Sequence, residues 1–148
     1  MENANDPIFA RAQFLADSLQ RNRVHSVTLM ILYDLRIPLN SHGFGYLKEA
    51  IPVALQNPSQ IVASEIYTAV GEDTFPGTSN QNMDAAIRDA IRKAWKARSD
   101  DRWGKYLPDY ILERKKPPSN LEFISAIVYF LEMWQDCYEK EDDYATVK

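Results

Sequence analysis

Side chains able to act as nucleophiles, general bases or metal ligands are sparse along this sequence. Its two histidines, His25 and His42, stand seventeen positions apart, outside any HExxH pattern and without a carboxylate cluster spaced to complete a metal site. The sequence holds no Gly-rich phosphate loop, no G-x-S-x-G turn and no Cys/His pairing suited to nucleophilic catalysis. Its acidic pairs, Glu72-Asp73, Asp100-Asp101 and Asp142-Asp143, fall in expected loops or ends, where carboxylates serve solvation rather than proton transfer. The single cysteine, Cys137, excludes an internal disulfide and a multi-thiolate site; beside Trp134 and Tyr138 it is expected to be a partly buried small hydrophobe. The sequence therefore predicts no catalysis, no cofactor and no bound metal.

The chemistry that remains is charge and hydrogen bonding, and it is segregated. The formal net charge is −4, which argues against strong non-specific affinity for nucleic acid. From Thr78 to Lys116, however, ten Lys or Arg face six acids, a local +4 against −8 for everything else. Within that stretch Met83, Ile87, Ala90, Ile91, Ala94 and Trp95 recur at spacings of three and four. The polar residues between them fall on the remaining surface, so a helix over Ser79–Arg98 packs with one face and presents a basic one.

The elements that must position this helix follow from the punctuation of the chain. At 148 residues one domain with a real core is expected. Pro and Gly divide it into about six helical segments without strand alternation or internal repeats, which predicts an all-α fold. The first segment, Pro7 to Leu35, carries Ile8, Ala12, Leu15 and Leu19 on one stripe and Val27, Ile31 and Leu35 on another, a change that suits a break near Asn22. A helix is expected over Phe44–Gln56, kinked by Pro52 or holding it in its first turns. Asn57-Pro58-Ser59-Gln60 has the pattern of a helix start, leading to a helix that runs to Val70. Thr78 with Gln81, or a start at Ser79, caps the amphipathic helix. A turn of helix is expected over Trp103–Leu107, and Lys115-Lys116-Pro117-Pro118 reads as a basic connector. Ser119 with Glu122 caps a last helix with the stripe Phe123, Ile127, Phe130 or Leu131, Trp134 and Tyr138. The aromatic residues at helical spacing are expected in the core. No apolar run reaches the roughly eighteen residues of a membrane span, and Met1–Pro7 is unlike a signal peptide; with one cysteine, a cytoplasmic protein without membrane contact is expected.

Several stretches, collinear from Val27 to Trp134, carry a family resemblance. They are Ile37-Pro38; Gly43-Phe44-Gly45-Tyr46-Leu47-Lys48-Glu49-Ala50-Ile51; Ile66-Tyr67; Ala86-Ile87-Arg88 with Ala90-Ile91 and Ala94-Trp95; and Pro118-Ser119-Asn120 with Glu122-Phe123-Ile124. Together they resemble the C-terminal DNA-binding effector domain of the sporulation stage zero A response regulators. The resemblance implies a six-helix domain containing a helix-turn-helix, here with an added N-terminal helix: residues 1–25 as the extension, 26–138 as the effector domain and 139–148 as an acidic tail. It also implies that Ser79–Arg98 is the recognition helix of a transcriptional regulator that binds double-stranded DNA, as a head-to-tail pair on tandem sites.

On that implication Gln81, Asn82, Asp84, Ala85 and Arg88 face base edges, while Thr78, Ser79, Arg92, Lys96, Lys105, Lys115 and Lys116 hold phosphates. Gln and Asn suit adenine, Arg88 guanine, and Asp84 accepts from cytosine. Family members usually carry arginine at the position of Asn82, a Glu-Arg pair at Asp84-Ala85 and histidine at Asp89, so only Arg88 keeps its identity. Loss of the arginine at Ala85 removes a guanine reader worth about 1–3 kcal/mol, and an altered base preference is expected. The inter-helix turn is about two residues longer than the family pattern. Some two dozen residues precede the matched stretch, leaving no room in this sequence for a receiver domain. The N-terminal helix is expected to pack onto the domain, with presentation of its apolar stripe to a partner as the alternative. A second functional reading stays open: a protein-interaction module that keeps the fold, binds RNA polymerase or another regulator, and has lost DNA binding.

Overall fold

The computed structural model describes residues 6–146, with side chains to residue 139; residues 1–5 of the expected extension and 147–148 of the expected tail lie outside them. Among the described residues all regular structure is helical: α1 (Pro7–Asp34), α2 (His42–Leu55), α3 (Ala63–Asp73), α4 (Asn80–Lys96), α5 (Asp100–Trp103), α6 (Asp109–Leu112) and α7 (Asn120–Thr146). The all-α expectation is met. Two of the helices span only four residues each, and the extension expected as a separate helix is continuous with the first helix of the domain in α1.

α2 is the axis of the molecule: α1, α3, α4 and α7 all pack against it. Its Leu47, Ala50, Ile51 and Ala54 are buried at spacings of three and four, a stripe wide enough to serve several neighbours. Ser41 starts it, its hydroxyl accepting from the Phe44 amide at 3.1 Å. Pro52 lies in the last turn instead of the first, where the one hydrogen bond it removes does not break the helix. The core continues into an aromatic cluster, with Trp95 and Trp103 edge to face at 5.5 Å and Phe123 6.0 Å from Trp103.

Four readings of the sequence are corrected. α1 runs unbroken through Asn22, since no Pro or Gly follows Pro7 until Pro38, and it ends in a turn that places Arg36 at φ 64°. There the Ile37 amide returns to the Leu32 carbonyl and the Arg36 amide to Tyr33, closing the helix as glycine usually does. Secondly, Asn57 caps no helix. Its amide bonds to Ala54, its carbonyl accepts from Gln60, and its side chain accepts from Ser59, so the segment is a turn that reverses the chain, and α3 begins at Ala63 with no side-chain cap. Thirdly, the helical turn expected over Trp103–Leu107 sits earlier, capped by Ser99, and a further turn forms at Asp109–Leu112. Fourthly, Cys137 is exposed, because the buried line of α7 runs through Ile124, Ile127, Val128 and Leu131 and Cys137 falls off it. α7 itself continues to Thr146, through most of the acidic segment.

The N-terminal half of α1 does not pack onto the domain as expected. Ile8, Phe14, Leu15 and Leu19 are 75, 66, 61 and 55% exposed, and burial begins at Val24. Near that point Arg23 lies over the ring of Tyr138 at 4.7 Å, joining α1 to α7.

α2 and α4 approach each other closely at Gly43. A Cβ there would collide with the Ala86 carbonyl oxygen and stand 2.6 Å from the Ala90 Cβ, whereas one at Gly45 would meet only Phe75, at 3.8 Å. Gly43→Ala is therefore expected to cost about 1–3 kcal/mol by overpacking. Gly45→Ala, gaining helix propensity, should be neutral or stabilising by up to about 1 kcal/mol; denaturant unfolding of the two variants checks the contrast.

Candidate nucleic-acid interface

α3, the six residues 74–79 and α4 form a helix-turn-helix pair. Gly77, at φ 88°, supplies the left-handed residue that reverses the chain. Of the two starts the sequence offered, Ser79 is the cap: its hydroxyl accepts from the Asn82 amide at 3.1 Å. α4 buries Met83, Ile87, Ala90, Ile91, Ala94 and Trp95. The last turn carries Lys93 and Lys96, complementing the helix dipole.

The outward face follows from that burial. Gln81, Ala85, Arg88, Arg92 and Lys96 are all exposed and succeed one another at spacings of four and three, so they form one continuous stripe. Asn82 and Asp89 are exposed on the flank, and Asp89 is paired with Lys93 at 3.1 Å. The charge of this flanking acid is thereby offset within its own helix. Arg92 and Lys96 enter no ion pair among the described residues.

Asp84 has a different environment from the other expected base-facing residues. It is half-buried, and its Oδ1 accepts from the Tyr67 hydroxyl at 3.0 Å and from Asn120 Nδ2 at 3.0 Å. Its Oδ2 accepts from Arg88 Nη2, one turn along α4. Tyr67 comes from α3 and Asn120 from the first position of α7, and both are buried. Burial, with the Asp84 carboxylate adding to it, pushes the Tyr67 hydroxyl up to about 12, so it stays protonated as a donor. Neither Tyr67 nor Asn120 is among the site residues expected from the sequence. Residue type and spacing carry no signal that helices far apart in the chain converge on one carboxylate.

The outlying basic residues divide into occupied and free. Lys105 reaches Asp34 at 3.5 Å and Arg102 reaches it at 3.7 Å, while the Tyr106 hydroxyl donates to the same carboxylate at 2.7 Å and lowers its pKa, the lysine and arginine charges assisting. Arg98 stacks over Trp95 at 3.7 Å and bonds Asp100. Lys115 and Lys116 are exposed, on a connector anchored at its far end by Asn120, whose Nδ2 also donates to the Asp84 carbonyl at 2.9 Å. That anchor ties the connector to the first half of α4. Thr78 is half-buried before the cap, and Ser79 is exposed.

The connector is locked by a reciprocal capping box. The Glu122 amide donates to Ser119 Oγ at 3.1 Å, and the Ser119 amide donates to Glu122 Oε1 at 2.9 Å. Arg114 adds a two-pronged contact to the same carboxylate, at 2.9 and 3.0 Å. Arg114 first, then the Ser119 amide, pull the Glu122 carboxyl down to about 2.

No group of three or more metal-binding side chains converges among the described residues, and no described helix is long and apolar enough to cross a membrane. His42 is exposed, its ring 6.3 Å from that of Tyr46. Compared with known families, residues 28–131 match the family model described as "Sporulation initiation factor Spo0A C terminal". The match begins within α1 and ends within α7, so it takes in α2 to α6 entirely and the helix-turn-helix with them.

Because folding lowers the Glu122 pKa below its ordinary 4.5, the stability it contributes is complete above that value. It fades as the pH falls toward 2. Glu122→Gln is expected to cost about 1 kcal/mol at neutral pH, allowing for solvent screening of a half-exposed pair. Thermal unfolding of both proteins down through this window should show the gap closing as the wild-type carboxylate is protonated. A gap that stays constant would remove the ion pair as its source.

Proposed function

The chain belongs to the family of sporulation initiation factor Spo0A C-terminal domains, which are helical DNA-binding effector domains. From that membership and from the surface of α4 we propose that it is a sequence-reading DNA-binding protein and regulates transcription. α4 enters the major groove with its first two turns against base edges. Gln81 and Asn82 read adenine and Arg88 reads guanine. Arg92 and Lys96 hold phosphates further along the stripe, with Lys115 and Lys116 on the connector and the Thr78 and Ser79 hydroxyls at the helix start. Lys105 reaches DNA only by sharing itself with Asp34.

The observation that carries this reading is the unbroken exposed stripe Gln81, Ala85, Arg88, Arg92 and Lys96, with Asp89 paired off its flank. Because Ala85 offers no hydrogen bond in the middle of that stripe, the sequence it selects differs from one read by family members with arginine there. Pairing of two copies on DNA and contact with RNA polymerase or another regulator belong to the same proposal.

A second reading has its own support. The exposed Ile8, Phe14, Leu15 and Leu19 on α1 suit a protein-interaction module, one that keeps the fold without using α4 on DNA.

Selection from a random-sequence duplex library, at low and near-physiological salt, separates the two. The DNA reading expects one enriched motif. Arg88→Ala should relax it, losing about 1–3 kcal/mol of discrimination at one base pair. Lys96→Ala should weaken binding to all sequences alike and reduce the salt slope by about one. Absence of enrichment even at low salt would overturn the proposal and leave the interaction module.

A further inference from the structure

The half-buried Asp84 faces three donors, and their arrangement assigns it a role other than touching a base. Resting on the DNA-binding reading above, we propose that Asp84 is a positioning residue that buttresses Arg88 against guanine and so sets the specificity of α4.

Oδ1 is held by two donors, Tyr67 at 3.0 Å and Asn120 at 3.0 Å. These donors come from α3 and α7, two helices that pack against α4, and both residues are buried. The carboxylate is thus held by the domain rather than by its own rotamer preference. Only Oδ2 faces the stripe, and Arg88 Nη2 occupies it. An arginine guanidinium has five N–H donors in a rigid fork. Engaging one through Nη2 leaves the other nitrogens free to form the paired contact that guanine O6 and N7 accept.

Three consequences follow for recognition. Arg88, more than half exposed along its side chain, is aimed before DNA arrives, so fewer conformations are lost on binding. Its positive charge is balanced by Asp84, which removes one of the charges that would otherwise attract phosphate of any sequence. The remaining negative carboxylate also disfavours an acceptor-rich partner displaced from the arginine fork. Asp84 therefore lowers binding to random DNA while sharpening the choice of guanine. The direct contact with cytosine expected for it is replaced by a contact through Arg88.

The test uses the whole chain and the motif enriched by the wild type. It compares affinity for that motif, for the motif with its Arg88 guanine replaced by each other base, and for random duplex across a range of salt. Asp84→Asn keeps an oxygen for Tyr67 and Asn120 and removes the charge. It should reduce guanine preference about five- to tenfold while raising random-duplex affinity about threefold and steepening the salt slope by about one. A residue with only a structural role would weaken motif and random duplex in equal proportion, and that result overturns the proposal. So does an unchanged guanine preference, or a loss of preference that falls on a cytosine, since Asp84 would then read the base itself. Should Asp84→Asn fail to fold by circular dichroism, Tyr67→Phe frees one side of the carboxylate without altering its charge. Guanine preference should fall there with the salt slope unchanged; no change in preference overturns the buttress. If the wild type enriches no motif, the DNA-binding reading itself falls and takes the buttress with it, whereas a wild-type motif with unaltered preference in the variants removes the buttress alone.

Discussion

A helix can present its outer face in a set direction only if its inner face is fixed, and for α4 that fixing depends on a missing methyl group. Gly43 lets α2 approach α4 so closely that a side chain at that position would occupy the space of the Ala86 carbonyl and the Ala90 methyl. Small residues on α4 answer it, with Ala90 and Ala94 buried in the same face. α2 in turn is held by α1, α3 and α7, so the position of α4 is referred to the whole core. Packed interiors yield little. The outward direction of Gln81, Ala85, Arg88, Arg92 and Lys96 is therefore a consequence of contacts made on the far side of their helix.

Electrostatics acts on top of that framework, mostly by subtraction. The chain carries a net charge of −4, and several basic residues near the helix-turn-helix are taken up internally: Arg102 and Lys105 by Asp34, Arg114 by Glu122, Lys93 by Asp89 and Arg88 by Asp84. Most of these pairs are partly solvated and contribute about 0.2–1 kcal/mol each. Their larger effect is on the field. Basic residues held by neighbouring acids add little long-range attraction for a polyanion, which leaves Arg92, Lys96, Lys115 and Lys116 to supply it. On the proposed DNA-binding reading, few free cations mean weak affinity for arbitrary DNA, with the remainder supplied by base edges.

What the sequence disclosed and what it withheld divide along a physical line. α4 was legible because local signals agree: a Ser cap, small and apolar residues at helical spacing, and lysines in the last turn. The Ser119–Glu122 cap was legible for the same reason, since its hydrogen bonds join residues three apart. Asn57 misled because an Asn-Pro pair also suits a turn, and with α2 running to Leu55 the chain had to reverse there. Cys137 misled because its aromatic neighbours in sequence, Trp134 and Tyr138, lie toward the edge of the packed region rather than inside it. The Tyr67–Asp84–Asn120 junction was invisible for another reason: its members are 17 and 36 residues apart, and no local pattern requires them to meet.

α1 shows how an apolar stripe can be helical without being covered. Starting a helix is costly in water because its first turn fixes several residues for a single hydrogen bond. The outer half of α1 does not bear that cost. Val24, Thr28, Ile31 and Leu32 are buried and hold the last turns in place, Thr28 adding a bond from its hydroxyl to the Val24 carbonyl at 2.7 Å. From there the helix propagates outward one hydrogen bond at a time, through a segment without Pro or Gly, to a start defined by Asp6, which accepts from the Ile8 amide at 2.9 Å. Ile8, Phe14, Leu15 and Leu19 are thus held in helical register although they stay exposed. The family match starts at residue 28, among those buried positions, so the part of α1 that anchors the extension is also the part the family shares. The exposed stripe lies ahead of the matched residues, carried on that anchor.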